Sequence, residues 1–388
     1  MRRFTFLLAF TLLFILAVQW RSNAQTPPPP TFGSILQSSP AAISTAAAQG
    51  SNVTPSPTWV ATPSGALGPT NFPPNVNPLT GLPVDDPAIL LRRPLAVKIS
   101  NAPPLVRPQA GIGDADLVFE HITEGHLTRF TAIFWTHTPP RVGSIRSARL
   151  LDLEIANMYG AIFAFSGASG PVREKIFASP FADRAFEGVS VGPPAYYRDD
   201  SIDVPHNLFG SPRAIWDLAS KKGVNVPPPN LGGMLFSPTP QPKGGPGTLI
   251  SVDYGPTQAE WRYDEKMGRY ARWSDGKPHY DANNNTQVTS ANVVVLHAWH
   301  QYDYTIVESE FQGSKSYSVE IQVWTLGPAT VCRDGQCVNG LWNRWNKADM
   351  LSFWTEDHQP IYLKPGNTWF EVVNLPDATE LQQKIVIQ

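Results

Sequence analysis

The alternation of apolar and polar positions changes character along this chain. Between Asn77 and Leu235 two periodicities take turns. "LAVKIS" (95–100) is a short continuous apolar run and predicts a buried strand. "ADLVFEHIT" (115–123) and "RFTAIFWT" (129–136) predict two further strands, joined as a hairpin through "EGHL" with Gly125 in the turn. The second of these is apolar on both sides, with Phe130 and Phe134 on one and Ile133 and Trp135 on the other, so it predicts layers above and below the sheet. The period then lengthens. Ile145, Ala148, Leu151, Ile155 and Met158 follow helical spacing, and Gly160 supplies a stop. "AIFAFSG" predicts a central strand. Helices are predicted at "ASGPVREKIFAS", with Pro171 in the first turn, and at "SPRAIWDLASKKG", with Ser211 as cap and Pro212 first inside. From Thr248 onward the segments are β-branched and aromatic, separated by Asp-Gly, Lys-Pro-Gly and Asn-rich turns. The expected class is α+β: an N-terminal mixed α/β domain with a central sheet, then a mostly β C-terminal domain.

The polar stretches set the expected boundaries. Arg2 and Arg3 precede an almost unbroken apolar run from Phe4 to Trp20, and Ser22-Asn23-Ala24 offers small residues for cleavage. Residues 1–24 therefore read as a secretory signal or, if uncleaved, as a membrane anchor. No Asp, Glu, Lys or Arg occurs from Ser22 to Val84, and residues 25–76 read as a disordered Pro/Ser/Thr/Ala-rich stalk. The N-terminal domain is expected at 77–235, a Pro/Gly-rich linker at 236–247 and the C-terminal domain at 248–388. The expected location is extracytoplasmic, either secreted or anchored at the cell surface. With 30 Lys+Arg against 32 Asp+Glu, the net charge of −2 gives no whole-protein attraction to nucleic acid or anionic lipid. Any membrane contact is expected through an uncleaved N-terminal segment alone.

The chemistry-bearing residues are few. The two cysteines, Cys332 and Cys337, flank the turn dipeptide Asp334-Gly335, and an oxidising compartment favours a small hairpin disulfide between them. Arg146 and Arg149 lie three apart where a helix is expected to begin. Glu120 and Glu124 are four apart and share a face of an extended strand, at about 13 Å along it, too far for an acid and nucleophile pair unless the strand bends. The simpler reading is that each carboxylate neutralises an arginine. His121 and His126 flank Glu124 without the spacing of a zinc motif, so no metal and no cofactor is expected. "SGASG" (166–170) lacks the lysine of a phosphate loop, and no G-x-S-x-G elbow is present. Trp324, Trp342, Trp345, Trp354 and Trp369 are either a stacking platform or, more simply, strand core.

Several phrases together, "NPLTGLPV", "RPLAVKISN", "RPQAGIGDADLVFEHITEGHLTRFTAIF", "VGSIRSAR", "VPHNLF" and "LKPGNTWFEVV", resemble the YerB-like family of exported bacterial proteins, described as lipoproteins with two domains of unknown function. The resemblance spans about Asn77 to Val373. It places the family's polar signature on Arg107, Gln109, Glu120, Glu124, Thr128, Arg129, Arg146, Ser147, Arg149, His206 and Asn207. The chain departs from the family by lacking a lipid-modifiable cysteine after the signal and by carrying His126 in place of a glycine; His121 is outside the pattern too.

Three functional readings follow. In the first, a partly buried cluster of Arg107, Arg129, Arg146 and Arg149, balanced by Glu120 and Glu124 and assisted by Gln109, Ser147 and Asn207, grips a carboxylate or phosphate of an anionic cell-wall polymer. In the second, a wall hydrolase or lyase uses Glu120 or Glu124 as acid/base with His206 assisting. In the third, the charges pair internally and the protein contacts other envelope proteins.

Overall fold

The computed structural model describes residues 62–228, 230–240 and 244–388; the expected signal and the first part of the stalk lie outside the described residues. Strands β1 (Leu95–Ser100), β2 (Leu117–Ile122) and β3 (Thr128–Phe134) are followed by helix α1 (Leu150–Met158), β4 (Ile162–Phe165), α2 (Gly170–Phe177), β5 (Ala185–Glu187) and α3 (Pro212–Lys221). Next come β6 (Leu249–Asp253), β7 (Gln258–Asp264), β8 (Arg269–Ser274) and β9 (Asn292–His297). A long hairpin, β10 (Trp299–Phe311) and β11 (Ser314–Gln322), precedes β12 (Thr325–Arg333), β13 (Gln336–Arg344), β14 (Thr368–Val373) and β15 (Lys384–Ile387). The fold is α+β, with a mixed sheet in the N-terminal part and a mostly β C-terminal region.

One sheet draws on both parts. Its order is β13-β12-β9-β14-β2-β3-β1-β4-β5, and Gly245–Pro246 and Ser352–Trp354 both pair with β13. The seam is the parallel pairing of β14 with β2, which sets Phe370 beside Phe119 and Glu371 beside Glu120. β14 also runs parallel to β9, and all six of its residues are buried. A strand covered on both faces needs two layers, and both are present. Alternation sends Phe119 and His121 to one face, where Phe119 packs on Tyr159 at the end of α1. It sends Glu120 and Trp369 to the other, where Trp369 meets Trp261 of β7. That second layer is a smaller sheet, ordered β8-β7-β6-β15, with Lys277–Pro278 and Thr289–Ser290 on β8.

Three expectations change. The predicted helix from Ile145 starts only at Leu150, because residues 145–148 make sheet-like contacts: Ile145 N–H donates to Leu208, Arg146 to Lys98 and Ala148 to Gly167. Within the expected stalk, Leu67 bridges Phe236 and Val76 is buried, so order reaches further back than Asn77. Within 236–247, Phe236 pairs with Leu363 and Gly245 with Cys337. Cys332 and Cys337 are directly opposed across the β12–β13 hairpin and joined as a disulfide. Trp342 and Trp369 are core, whereas Trp345 is 62% exposed, so the five tryptophans form no common platform.

Candidate functional site

The signature residues do not form one cluster. Strand alternation and the turn after β2 divide them among three places.

The first lies between the two sheets. Glu120 is fully buried; its Oε1 accepts from Asn101 (3.0 Å) and Thr128 (2.9 Å), and its Oε2 accepts from Arg272 Nη2 of β8 (2.5 Å). Arg272, also fully buried, sits among Phe130, Trp261 and Trp369, with ring centroids 4.8–5.7 Å from its guanidinium carbon. Its Nη1 donates to His279 Nδ1 (2.7 Å), which leaves His279 Nε2–H to donate to Gln109 Oε1 (2.6 Å). Burial, reinforced by the charge of Arg272, holds His279 well below its ordinary pKa, so the ring is neutral. Beside Glu120, Glu371 accepts from Trp261 Nε1 and from the Tyr254 hydroxyl, each at 2.8 Å. Burial first, then the charge of Glu120, raises the Glu371 pKa. One cation therefore faces two carboxyl groups, and burial with the Glu120 charge favours the protonated form of Glu371. Arg107 closes the edge: its guanidinium donates to Asn101 and crosses to Asp275.

The second place lies under α1. Glu124 belongs to a short turn (124–126) rather than to β2, and Gly125 at φ 67° supplies the left-handed step there. The turn carries Glu124 toward α1 and away from Glu120. Arg149, at the N-cap of α1, engages Glu124 through two donors, Nε at 2.6 Å and Nη2 on Oε1. Its Nη1 donates to Ala148 and lies 3.5 Å from Glu308 of β10. Arg129 donates to Ser147 O (2.7 Å) and to Glu124 (3.3 Å); burial, together with the neighbouring Arg149 charge, pulls its pKa down to about 9. Deeper still, Lys98 donates to Asp152 and Thr131 and lies 2.6 Å from His121, all buried. Asp152 also accepts the Arg149 backbone N–H, satisfying a donor that the helix start leaves free.

The third place is partly exposed. Three guanidinium groups (Arg129, Arg146, Arg149) face two carboxylates (Glu124, Glu308), an excess of one positive charge. Arg146 carries that excess. It is half-buried and has no carboxylate partner among the described residues; its side chain donates to Pro205 O (3.3 Å), and its Nε, sealed from solvent, has no hydrogen-bond partner among them. Around it lie Ser147, the 166–169 loop that pairs with 146–148, and His206. Gly167, at φ 76°, turns that loop into α2, whose N-cap Ser169 makes no side-chain cap. The buried Ser169 hydroxyl and His206 Nδ1 likewise have no partner among the described residues. Burial, and then the Arg146 charge, lowers the His206 pKa. Asn207, buried, accepts from Arg198 instead (2.6 Å).

Of the ligand-binding candidates, Arg107, Gln109, Arg129, Arg149 and Asn207 thus have their polar groups engaged inside the protein, while Arg146 and Ser147 keep a solvent-facing side. As to the catalytic candidates, Glu120 and Glu124 point to different layers, each held by internal donors, and His206 lies within reach of the Arg146 charge. Sequence reading missed Arg272, His279, Glu371, Tyr254 and Trp261; no local motif marks them, because the sheet seam alone brings them together. Among the described residues no group of three His, Cys, Asp or Glu side chains is arranged to hold a metal.

Comparison with known proteins agrees with this architecture. Residues 79–225 match the family "Protein of unknown function (DUF3048) N-terminal domain", and residues 250–370 match its C-terminal domain. The chain is 29% identical over 310 residues to "Putative lipoprotein YerB" of Bacillus subtilis (strain 168), covering 79% of this chain and 88% of that protein. The crystal structure of the YerB protein from Bacillus subtilis superposes with a TM-score of 0.67 at 27% identity, over 80% of this chain and 99% of that one. The chain belongs to the YerB-like family and carries both of its domains.

Proposed function

We propose that this YerB homologue is an extracytoplasmic envelope protein that binds an anionic polymer of the cell wall, with Arg146 as the receiving cation. The location rests on the lipoprotein designation of its relative and on the N-terminal sequence. The observation that carries the binding reading is the half-buried guanidinium of Arg146, which has no carboxylate partner among the described residues and belongs to a segment paired with the loop that leads into α2, a helix start that favours negative charge. The remaining arginines and glutamates of the signature act as fasteners. A wall hydrolase or lyase using Glu120 or Glu124 is less well supported, because an acid/base must reach a substrate proton and neither carboxylate has a free approach. Titration of the protein with poly(glycerol phosphate) tests the reading. Binding that weakens with salt and is lost in Arg146→Ala is expected. Binding unchanged by that substitution, or no binding by the parent, would overturn it.

A further inference from the structure

A second open feature lies on another part of the surface and does not depend on Arg146. Where residues 104–108 meet the β8 turn region, a groove of about 330 Å³ is lined by Pro104, Arg107, Pro108, Ser274, Lys277 and Tyr280, among others. Its volume falls at the lower end for small-ligand sites, about 300–1,000 Å³, and such sites favour seams between domains. This groove is built from both parts of the chain.

The lining has a definite chemistry. Tyr280 is 41% exposed, so its ring is available for stacking, and three prolines (Pro104, Pro108, Pro278) extend the apolar surface. Arg107 and Lys277 supply two positive charges. Asp275, the carboxylate on Arg107, is also held by the Gln258 N–H, so the groove keeps one cation, Lys277, without a carboxylate partner among the described residues. Ser274, one of the lining residues, is 3% exposed, and its buried hydroxyl makes no hydrogen bond among the described residues. His279 closes the floor, with both ring nitrogens already engaged by Arg272 and Gln109. An aromatic face flanked by prolines and a free ammonium together suit a sugar ring bearing a negative group: the ring stacks on Tyr280 and the anion meets Lys277.

We infer that this groove between the 104–108 segment and Lys277–Tyr280 binds an anionic saccharide. The floor residue His279 is bonded to Arg272 of the buried Glu120–Arg272 set, so a ligand bound here stabilises the folded chain by mass action.

The test uses two oligosaccharides of equal length, a hyaluronan tetrasaccharide, which carries carboxylates, and neutral chitotetraose. Binding to the full chain is followed by calorimetry. The carboxylated probe is expected to bind and the neutral one to bind at least about fivefold more weakly. Lys277→Ala and Tyr280→Ala, both at surface positions, are each expected to weaken the carboxylated probe roughly five- to tenfold with the melting temperature unchanged, and Lys277→Arg to restore it. Arg146→Ala is expected to leave this binding intact, which separates it from the polymer site. Equal binding of the two probes, no binding of either at millimolar concentration, or binding that survives both groove substitutions and disappears with Arg146→Ala would each overturn the inference.

Discussion

Replacing Arg272 with methionine removes the cation between the sheets while keeping an unbranched apolar stem among Phe130, Trp261 and Trp369. Glu120 then keeps two neutral donors, Asn101 and Thr128, and loses its only charged partner. Breaking one side of a fully buried pair costs about 3–5 kcal/mol. An independent bound agrees. The stranded carboxylate escapes by taking up a proton, which for an ordinary glutamate costs about 3.7 kcal/mol at pH 7 and about 1.6 kcal/mol at pH 5.5. The expected deficit is therefore about 3–4 kcal/mol at pH 7 and roughly half that at pH 5.5. The sign follows from linkage: the variant's folded state holds a proton that its unfolded state releases, so the deficit grows as pH rises. Urea unfolding followed by tryptophan fluorescence at the two pH values measures both quantities. Adding Glu120→Gln to Arg272→Met is expected to recover at least about 1 kcal/mol at pH 7, because no charge is then left unpaired. A variant within about 0.5 kcal/mol of the parent, or an equal deficit at both pH values, would refute the argument.

Two further outcomes follow from the same packing. Glu371, raised above its ordinary 4.5 by burial and by Glu120, binds a proton in the folded state that the unfolded chain gives up, so it lowers stability as pH climbs from 4.5 toward its folded value. Glu371→Gln mimics the protonated carboxyl; its unfolding free energy, measured from pH 5 to 9, is expected to fall less steeply than the parent's, by up to about 1.4 kcal/mol per pH unit, and identical slopes would contradict this. The Cys332–Cys337 disulfide closes a short loop, for which chain entropy gives about 2 kcal/mol; the double alanine variant should lose about that much in a denaturant melt, and no loss would show the bridge to be energetically idle.

Much of the fold was legible locally. The β2–β3 hairpin with Gly125, the two-faced apolar strand β3, and helices α2 and α3 with their Pro171 and Ser211–Pro212 starts all follow from nearest-neighbour chemistry. The start of α1 did not, because apolar residues at 145 and 148 suit a helix face as well as an extended segment pinned on both sides. The β14–β2 seam was not legible either. Its register couples Glu371 to Glu120 across 251 positions, and no local period encodes that pairing. For the candidate site, the pairing of carboxylates with arginines could be read from composition, but the partners could not. Glu120 takes Arg272 from the second sheet, and Glu124 leaves the strand's alternation at the turn to meet Arg149.

In the proposed reading, two arginines three residues apart have opposite roles, Arg149 sealed as a fastener and Arg146 as the receptor. Melting temperatures of Arg149→Ala and Arg146→Ala, measured side by side, test it most directly. Arg149→Ala strands Glu124 beside a single weak donor from Arg129 and is expected to melt several degrees lower, from a loss of about 3 kcal/mol. Arg146→Ala breaks no ion pair and is expected to melt within about one degree of the parent. A stable Arg149→Ala, or an Arg146→Ala that melts as low, would contradict the account.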